Sequence, residues 1–316
     1  MPEFDILSFG ETMAMFVADE YGELARVKRF HKRIAGADSN VAIGLARLGL
    51  NVAWLSRVGK DSLGRFVTDT LVDEGLDCRF VRTDPARPTG FQLKGSEADG
   101  RDPAVEYFRK GSAASVLSVA DLDPSLLRAR HLHATGIPPA LSPQALELSA
   151  SLIRQMREAG HSISFDPNLR PALWADQRTM VDTVNRLACQ AHWVLPGLAE
   201  GQMLTGVEAP RDIAGWYLER GVEAVAIKLG PEGAYYRTAQ DEGVVEGFAV
   251  ARVIDTVGAG DGFAVGVISA LLEGQGFAQA VRRGNWIGSL AVQSQGDMEG
   301  LPRREQLEAA RLALSL

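Results

Sequence analysis

The chain has 316 residues, a length that allows one large α/β domain or two smaller ones around a substantial core. Its 33 basic and 40 acidic residues give a formal charge of −7 with no Lys/Arg-rich stretch, which argues against binding to nucleic acid or to an anionic membrane. The two cysteines, Cys78 and Cys189, have no metal-ligand spacing, and no segment approaches 18 uninterrupted apolar residues. We therefore expect a reduced, cytoplasmic protein without a membrane span or an export signal.

Short apolar segments, each typical of a buried strand, alternate along the chain with longer segments of helical periodicity. The predicted strands are 4–9, 52–57, 131–136, 161–166, 192–196 and 222–230, and the predicted helices are 40–49, 62–75, 142–160 and 211–221. This alternation predicts an α/β fold with a mainly parallel sheet covered on both faces. Two more polar segments, about 11–33 and 87–112, predict short antiparallel strands that form a second, smaller sheet over the main one.

The segment DTVGAGDGFAVG (255–266) places glycines and one carboxylate, Asp261, directly before an apolar run of helical spacing. Glycines at a helix N-terminus let backbone N–H groups converge on one point, where the helix dipole also favours an anion. A bound phosphate would repel Asp261 unless this carboxylate accepts a proton from an attacking hydroxyl, the role of the base in phosphoryl transfer. On the residues alone, an Asp N-cap after a tight turn is the favoured alternative.

Two further features are able to bind hydroxyl groups and a carboxylate. The segment GADSN opens a helix, where Gly36 allows close backbone approach and Asp38 and Asn40 can hydrogen-bond to hydroxyls, although Asn40 is also a good N-cap. The forked guanidinium groups of Arg109 and Arg170 match a carboxylate through two charge-assisted hydrogen bonds, which a neutral sugar does not need. A single arginine on a loop is otherwise usually solvated.

The segment 255–266 resembles the C-terminal signature of the ribokinase-like (PfkB) carbohydrate kinases, and AGADSNVAIGLARLG (35–49) resembles their N-terminal signature. The resemblance continues through KLGPEGA (228–234) and RRGNWIGSLAVQSQGD (282–297), and thus covers essentially the full length. It implies an α/β fold of the ribokinase-like type, a three-layer sandwich with a mainly parallel central sheet. Residues 1–316 would form one kinase domain, and the two polar segments would form a small β-sheet lid.

Within the family, the chain resembles the members that phosphorylate 2-keto-3-deoxygluconate. The segments that carry this closer resemblance are YFRKGSAAS (107–115), GIPPALSP (136–143), FDPNLRPALW (165–174) and GDMEGLP (296–302).

The resemblance assigns roles residue by residue. It implies an anion hole at Gly258, Ala259 and Gly260, with Asp261 as the catalytic base. The positions implied to bind the sugar are Gly36, Ala37, Asp38, Asn40, Gln92, Tyr107, Arg109, Arg170 and Asp297. Those implied to bind ATP are Asn168, Lys228, Gly230, Gly233 and Asn285. Magnesium would accompany the triphosphate with Glu200 holding it through water, and Asp255 matches a position that holds a monovalent cation in several members, with K⁺ as the candidate.

Two positions depart from the family pattern. Gly197 stands where an Asn-x-x-Glu motif commonly has Asn, and Gln92 stands where related 2-keto-3-deoxygluconate kinases often have Tyr. The first departure bears on metal affinity, and the second on substrate preference.

The predicted function is ATP-dependent phosphorylation of a hydroxyl of a keto-deoxy sugar acid, with 2-keto-3-deoxygluconate as the leading substrate. Two alternatives stay open: a kinase of the same fold for fructose, ribose or 5-keto-2-deoxygluconate, and a catalytically silent sugar or nucleotide sensor. The expected partners are a small sugar acid and ATP, with no nucleic acid and no membrane. Because lid sheets with one apolar face often pair between subunits, we also expect a homo-oligomer.

Overall fold

The computed structural model describes residues 3–96, 103–314 and 316. The strands are β1 (Phe4–Phe9), β2 (Met13–Ala18), β3 (Phe30–Ala35), β4 (Val52–Gly59), β5 (Val81–Asp84), β6 (Phe91–Lys94), β7 (Val105–Phe108), β8 (Ala129–Thr135), β9 (Ser162–Asp166), β10 (Trp193–Val194), β11 (Ala224–Lys228), β12 (Gly233–Thr238) and β13 (Glu242–Glu246). The α-helices are α1 (Ala37–Arg47), α2 (Ser62–Asp73), α3 (Pro138–Leu141), α4 (Pro143–Glu158), α5 (Gln177–Ala188), α6 (Leu198–Thr205), α7 (Pro210–Leu218), α8 (Ala259–Leu272), α9 (Phe277–Ala291) and α10 (Arg304–Leu314). Short 3₁₀ turns span Leu24–Arg26, Ala114–Val116, Val119–Asp121, Pro124–Arg128, Pro171–Leu173 and Gly230–Glu232.

The main sheet has the order β13-β12-β11-β10-β9-β8-β1-β4-β5 within the described residues. The strands from β11 to β5 pair in parallel, whereas β12 and β13 form an antiparallel hairpin at one edge. The predicted mainly parallel sheet is therefore confirmed, and its six predicted strands correspond to β1, β4, β8, β9, β10 and β11. The edge hairpin is an addition that the sequence analysis did not predict.

Two apolar clusters lie on opposite faces of the main sheet. Successive side chains of a strand point to opposite faces, so Ile6 and Leu7 of β1 belong to different clusters. The first cluster includes residues of α1, α2, α8 and α9, and the second includes residues of α4, α5 and α7. The result is the predicted three-layer arrangement of helices, sheet and helices. No helix within the described ranges is long and apolar enough to cross a membrane.

The small sheet has the strand order β3-β2-β6-β7 and lies in the two segments predicted to form it. Strands β2 and β3, and also β6 and β7, pair antiparallel as expected, but β2 and β6 pair in parallel, with Ala14 opposite Phe91. The wholly antiparallel prediction was therefore wrong at the centre of this sheet. The chain passes through α1, β4, α2 and β5 between its two halves, and such a crossover permits parallel pairing where a tight hairpin does not. Residues 97–102 of the predicted segment 87–112 lie outside the described residues.

Candidate active site

The site lies at the carboxyl edge of the main sheet. Glu11 follows β1, Thr135 ends β8, Asp166 ends β9 and Lys228 ends β11, and because these strands are parallel, the four residues reach the same edge. Ligands of open α/β sheets bind outside the carboxyl ends of the strands. A cavity of about 290 Å³ lies there, between the N-terminal ends of α1 and α8 and the small sheet.

Most residues predicted for the site share this cavity. Its lining includes Gly36, Ala37, Asp38, Asn40, Gln92, Tyr107, Arg109, Asn168, Arg170, Glu200, Lys228, Gly258, Gly260, Asp261 and Asp297. Within the described residues, the lining does not include Ala259, Asp255, Gly230, Gly233 or Asn285. It does include two charged residues that the sequence analysis did not single out, Glu11 and Lys94.

Asp261 lies in the first turn of α8 and is buried. Its Oδ2 accepts a hydrogen bond from Asn40 Nδ2 at 2.8 Å, and its Oδ1 accepts one from Asn168 Nδ2 at 3.4 Å. Burial raises the pKa of Asp261 to about 7; the hydrogen bond from Asn40 opposes this rise, and the nearby carboxylate of Asp166 adds to it. A carboxylate with a pKa near 7 is well matched to accept a proton at neutral pH.

The two cap alternatives do not hold in the structure. Helix α8 has Gly258 at its N-cap with no side-chain cap hydrogen bond, so Asp261 is not the cap. Helix α1 begins after Gly36, and Asn40 lies inside it with its N–H bonded to the Gly36 carbonyl at 2.7 Å. The side chain of Asn40 instead reaches across to Asp261, which lies far away in the sequence.

Gly258 is required by the backbone of the turn before α8. Its φ is 84°, in the left-handed region that favours glycine. A Cβ at this position would also lie 2.3 Å from the backbone carbonyl oxygen of Asp297. The turn can therefore pack against the Asp297 backbone only because residue 258 is glycine, and this packing fixes where the N–H groups at the start of α8 point.

A second buried carboxylate, Asp38, lies at the start of α1. Its Oδ1 accepts a hydrogen bond from Thr135 Oγ1 at 2.9 Å, and a Cβ on Gly10 would lie 2.7 Å from its Oδ2. Burial raises the pKa of Asp38 to about 7; the hydrogen bond from Thr135 opposes the rise, and the charge of Asp261 adds to it. The cavity thus holds two carboxylates, Asp38 and Asp261, that can accept protons or hydrogen bonds from the hydroxyl groups of a ligand.

Lys228 provides a cation near the start of α8. Its Nζ lies 2.7 Å from Asp166 Oδ2 and 3.4 Å from where a Cβ on Gly260 would lie. Burial opposes the charge of Lys228, but attraction to the Asp166 carboxylate prevails and raises its pKa. A charged ammonium group therefore stands beside the amides that would hold a phosphoryl group.

The two arginines predicted to bind a carboxylate have different environments. Arg109 is largely buried and pairs with Glu11, with its Nε at 2.7 Å and its Nη2 at 2.6 Å from Glu11 Oε2. Arg170 is exposed, and its Nη1 donates to the backbone carbonyl of Leu169 at 3.0 Å. Glu11 therefore offsets much of the charge of Arg109, whereas the guanidinium of Arg170 faces solvent at the mouth of the cavity.

Glu200 is held by backbone amides. Its Oε1 accepts from Leu169 N–H at 2.7 Å, and its Oε2 accepts from Gly197 N–H at 2.8 Å. Magnesium usually keeps several waters and binds through substrate phosphates together with one or two carboxylates. No cluster of three His, Cys, Asp or Glu side chains suited to a metal occurs in the described part of the chain. Glu200 is thus a fixed carboxylate in the cavity lining, a ligand type that suits a magnesium ion carried by a triphosphate.

Two of the residues predicted to bind ATP support the edge hairpin. A Cβ on Gly233 would lie 2.1 Å from the carbonyl oxygen of Val245, so the close approach of β12 to the end of β13 requires glycine. Asn285 of α9 donates through Nδ2 to the carbonyl oxygens of Val245 at 2.8 Å and Glu246 at 3.1 Å. Gly230 has a φ of 64° and open space around it. Contact of these three residues with ATP remains a prediction.

An amide-lined helix start, a buried carboxylate beside it and a neighbouring ammonium group are the features that phosphoryl transfer to a hydroxyl requires. The fold and the site thus define a kinase of small molecules. The chain belongs to the pfkB family of carbohydrate kinases, whose family model matches residues 3–304. The predicted family and enzyme class are therefore confirmed.

Named relatives match the chain over nearly its full length. It is 54% identical over 307 residues to the 2-dehydro-3-deoxygluconokinase of Bacillus subtilis (strain 168), an alignment that covers 96% of this chain and 94% of the relative. It is 33% identical to the 2-dehydro-3-deoxygluconokinase of Thermoproteus tenax, with 98% of this chain and 94% of the relative covered.

Solved structures of the same fold agree. A PfkB protein from Polaromonas sp. JS666 has a TM-score of 0.90 at 53% identity, with 97% of this chain and 100% of that one covered. A putative ribokinase II from E. coli, in complex with ATP and Mg²⁺, has a TM-score of 0.90 at 26% identity, with 98% and 99% covered. A fructokinase double mutant from Vibrio cholerae O395, in a form with fructose, ADP and potassium ion bound, has a TM-score of 0.84 at 30% identity, with 96% and 97% covered. The ribokinase-like fold is therefore confirmed.

Proposed function

We propose that this kinase transfers the γ-phosphoryl group of ATP to a hydroxyl of 2-keto-3-deoxygluconate, the compound also called 2-dehydro-3-deoxygluconate. The observation that carries the proposal is the position of Asp261, buried in the cavity beside the N-terminus of α8 and bonded to two side-chain amides. The two relatives named for this substrate support the choice of sugar. Arg170 in the cavity lining, whose charge is not paired with Glu11 as that of Arg109 is, supports an acid as the acceptor.

The proposed step uses Asp261 as the base. Its carboxylate takes the proton of the acceptor hydroxyl, whose oxygen forms a bond to the γ-phosphorus of ATP while the bond from that phosphorus to the β,γ-bridging oxygen breaks, and ADP leaves. The N–H groups at the start of α8 and the Lys228 ammonium stabilise the charge on the transferred group. Because Lys228 also pairs with Asp166, its position is fixed before the substrates bind.

ATP and magnesium are the proposed cofactors. A bound magnesium ion would neutralise part of the charge of the phosphate groups. Glu200 and Asn168 are the residues that would face the metal and its waters. Their position in the cavity lining supports this role, as does the ATP and Mg²⁺ complex of the E. coli neighbour. Gly197 leaves Glu200 room, since a Cβ there would lie 3.3 Å from Glu200 Oε2.

The acceptor is tested by a panel of sugars. ADP release from ATP is measured with 2-keto-3-deoxygluconate, 5-keto-2-deoxygluconate, fructose and ribose, and we expect the highest kcat/KM with the first. A higher kcat/KM with fructose or ribose would contradict the proposed sugar acid and identify a neutral sugar as the acceptor. Thermal stabilisation by a sugar without ADP release would instead identify a silent sensor.

Recognition of the carboxylate is tested by Arg170→Ala. Loss of a charge-assisted hydrogen bond should raise KM for the acid sugar roughly 10- to 100-fold and change KM for fructose less than about twofold. Arg178→Ala, at an exposed arginine on α5 that pairs with Asp182, is the matched control and should change neither value. Equal losses on acid and neutral sugars would contradict recognition of the carboxylate by Arg170.

We also propose that the enzyme is cytoplasmic and forms a homo-oligomer. Both cysteines, Cys78 and Cys189, are free thiols, as is usual in the reducing cytoplasm, and this supports the first proposal. Partly exposed aromatic residues on the small sheet, Tyr107 and Phe108, support the second. Sedimentation of the purified chain tests the oligomeric state, and a monomer at all concentrations would contradict it.

A further inference from the structure

Lys94, the last residue of β6 in the small sheet, reaches into the main body of the protein. Its Nζ lies 2.6 Å from Asp255 Oδ2 and 3.1 Å from Asp297 Oδ1. All three side chains are buried, with exposed fractions of 3%, 6% and 8%. An ammonium group between two carboxylates at these distances makes strong charge-assisted contacts with both.

This arrangement disagrees with the monovalent cation that the family resemblance assigns to Asp255. The Vibrio cholerae fructokinase has a potassium ion in one of its structures. In this chain, the Oδ2 oxygen of Asp255 is already 2.6 Å from Lys94 Nζ, a side chain carrying one positive charge. A second monovalent cation against the same oxygen would be repelled by Lys94 unless that side chain moved away. The residues present therefore do not fit K⁺ in addition to Lys94.

The ion pair is connected to the turn that shapes the phosphate site. Asp255 Oδ1 accepts a hydrogen bond from Val257 N–H at 3.1 Å, directly before Gly258. Gly258 in turn packs against the backbone carbonyl of Asp297, the second partner of Lys94. The ammonium group of Lys94 therefore holds two residues that contact the turn before α8: Asp255, which accepts from Val257 N–H, and Asp297, whose backbone packs against Gly258.

We propose that Lys94 is a built-in cation that replaces the monovalent metal ion at Asp255 and makes the phosphate-binding turn independent of K⁺. The inference rests on the proposed function, since it concerns the turn that would hold the phosphoryl group. Lys94 acts through Asp255 and Asp297, so it is a positioning residue. Lys94 is protonated in the folded protein. Burial opposes its charge, but attraction to Asp297 and Asp255 prevails and raises the pKa of Lys94.

The built-in cation also ties the small sheet to the site. Arg33 of β3 donates from Nη1 to the Gln295 carbonyl at 2.7 Å and pairs with Glu299 at 2.5 Å, so a second basic residue of the same sheet holds the segment around Asp297. A diffusing metal ion could bind whether or not the small sheet is in place. The ammonium group of Lys94 reaches Asp255 only when β6 lies over the cavity, so the charge at the turn depends on the position of the small sheet.

The test measures binding of ATP with Mg²⁺ by calorimetry, without any sugar, in KCl and in tetramethylammonium chloride at equal ionic strength. Tetramethylammonium is much larger than K⁺, and its methyl groups keep its charge away from a carboxylate oxygen. We expect the Kd of the unmodified protein to be the same in both salts within about twofold. An affinity at least tenfold higher in KCl would overturn the proposal, and this comparison needs no variant to fold.

Lys94→Ala is the informative variant, because it removes the charge and leaves space for an ion beside Asp255. Its Kd for ATP should rise about tenfold in tetramethylammonium chloride, the loss expected for one charge-assisted contact, and should recover in KCl. Lys94→Met fills most of the space, so we expect the same loss with little recovery. Lys110→Ala, at an exposed lysine beyond β7, is the matched control and should behave like the unmodified protein. Unchanged ATP binding by folded Lys94→Ala in both salts would overturn the proposal.

The readout separates this inference from the choice of substrate. If ATP binds equally well in both salts and Lys94→Ala needs KCl, while no sugar of the panel is phosphorylated, the proposed function fails and the built-in cation stands. If the sugar acid is phosphorylated but only in KCl, the built-in cation fails and the proposed function stands.

Discussion

Asp255 and Asp261 lie at the two ends of one short turn, and their surroundings differ. Asp255 faces the ammonium group of Lys94, whereas Asp261 faces the side-chain amides of Asn40 and Asn168. An amide hydrogen bond offsets less of the cost of a buried charge than an ammonium group does. Burial therefore raises the pKa of Asp261 to about 7. The ion-paired carboxylate holds the turn in place, and the amide-bound one is able to take a proton.

The amide-bound carboxylate has a cost in stability. An acid whose folded-state pKa is raised to about 7 destabilises the fold as pH rises above its ordinary pKa of 3.8, and the effect is complete above about pH 7. Asp38 contributes in the same direction, since its pKa is also about 7. The two buried carboxylates therefore lower the stability of the fold at neutral and alkaline pH, and the same raised pKa values allow them to exchange protons near pH 7.

The largest expected effect is the loss of catalysis in Asp261→Asn. Without the proton acceptor, kcat should fall roughly 10²- to 10⁴-fold while the Kd values of sugar and ATP change little. At pH 8 the same variant should melt roughly 2–6 °C higher than the unmodified protein, because a buried charge has been removed. The measurements are steady-state kinetics, calorimetry and thermal unfolding.

Asp255→Asn is the matched control for this variant. It also removes one carboxylate of the turn, but it leaves Lys94 with a weaker partner, so we expect a lower melting temperature instead of a higher one. Substantial turnover in Asp261→Asn would remove this residue as the base. A similar rise in melting temperature in both variants would show that the two surroundings do not differ as described.

A smaller effect is expected from Gly258→Ala, compared with Gly230→Ala. Both glycines have positive φ, 84° and 64°, so alanine costs about 1 kcal/mol at either position. At Gly258 the added Cβ also lies 2.3 Å from the Asp297 carbonyl oxygen, whereas Gly230 has open space. Gly258→Ala should therefore lower kcat/KM at least about tenfold, because the turn must move.

Gly230→Ala should lower kcat/KM less than about threefold if only the backbone conformation matters there. Thermal unfolding of both variants separates a displaced turn from a general loss of stability. Equal activity losses in the two variants would show that contact with the Asp297 backbone does not shape the phosphate site.

The parts of this molecule that local pattern controls could be predicted from sequence. Buried parallel strands and amphipathic helices have their own periodicity, and the glycines before α8 mark an anion site because their chemistry is local. The parallel pairing of β2 with β6 could not be predicted, since it depends on a crossover through α1, β4, α2 and β5. Sequence analysis likewise missed Glu11 and Lys94, whose partners Arg109 and Asp255 lie far along the chain. No local signal distinguishes a lysine at the end of a short strand from a solvated one.

The roles of Asn40 and Asp261 show the same limit within the site. As residues near helix starts, both are equally good caps, and only the packing of α1 against α8 brings Asn40 Nδ2 to 2.8 Å from Asp261 Oδ2. The family resemblance identified the pair because it carries three-dimensional information that the residues alone do not. It did not anticipate Lys94.

The smallest expected effect is a shift in the pH profile, and it identifies the acid that titrates. A base with a pKa of about 7 must be deprotonated to act, so kcat/KM should fall as pH decreases through about 7 and level off above it. The hydrogen bond from Asn40 favours the charged form of Asp261, and Asn40→Ala should therefore move the acid limb about one unit to higher pH.

Thr135→Val provides the matched control, because it removes the hydrogen bond to Asp38, whose pKa is also about 7. Thr135→Val should raise the pKa of Asp38. If Asp261 alone governs the pH dependence of kcat/KM, the acid limb should not move in this variant. A limb that moves in Thr135→Val and not in Asn40→Ala would transfer the role of base to Asp38. Both carboxylates are buried in the same cavity with similar pKa values, and the comparison of these two variants assigns the acid limb to one of them.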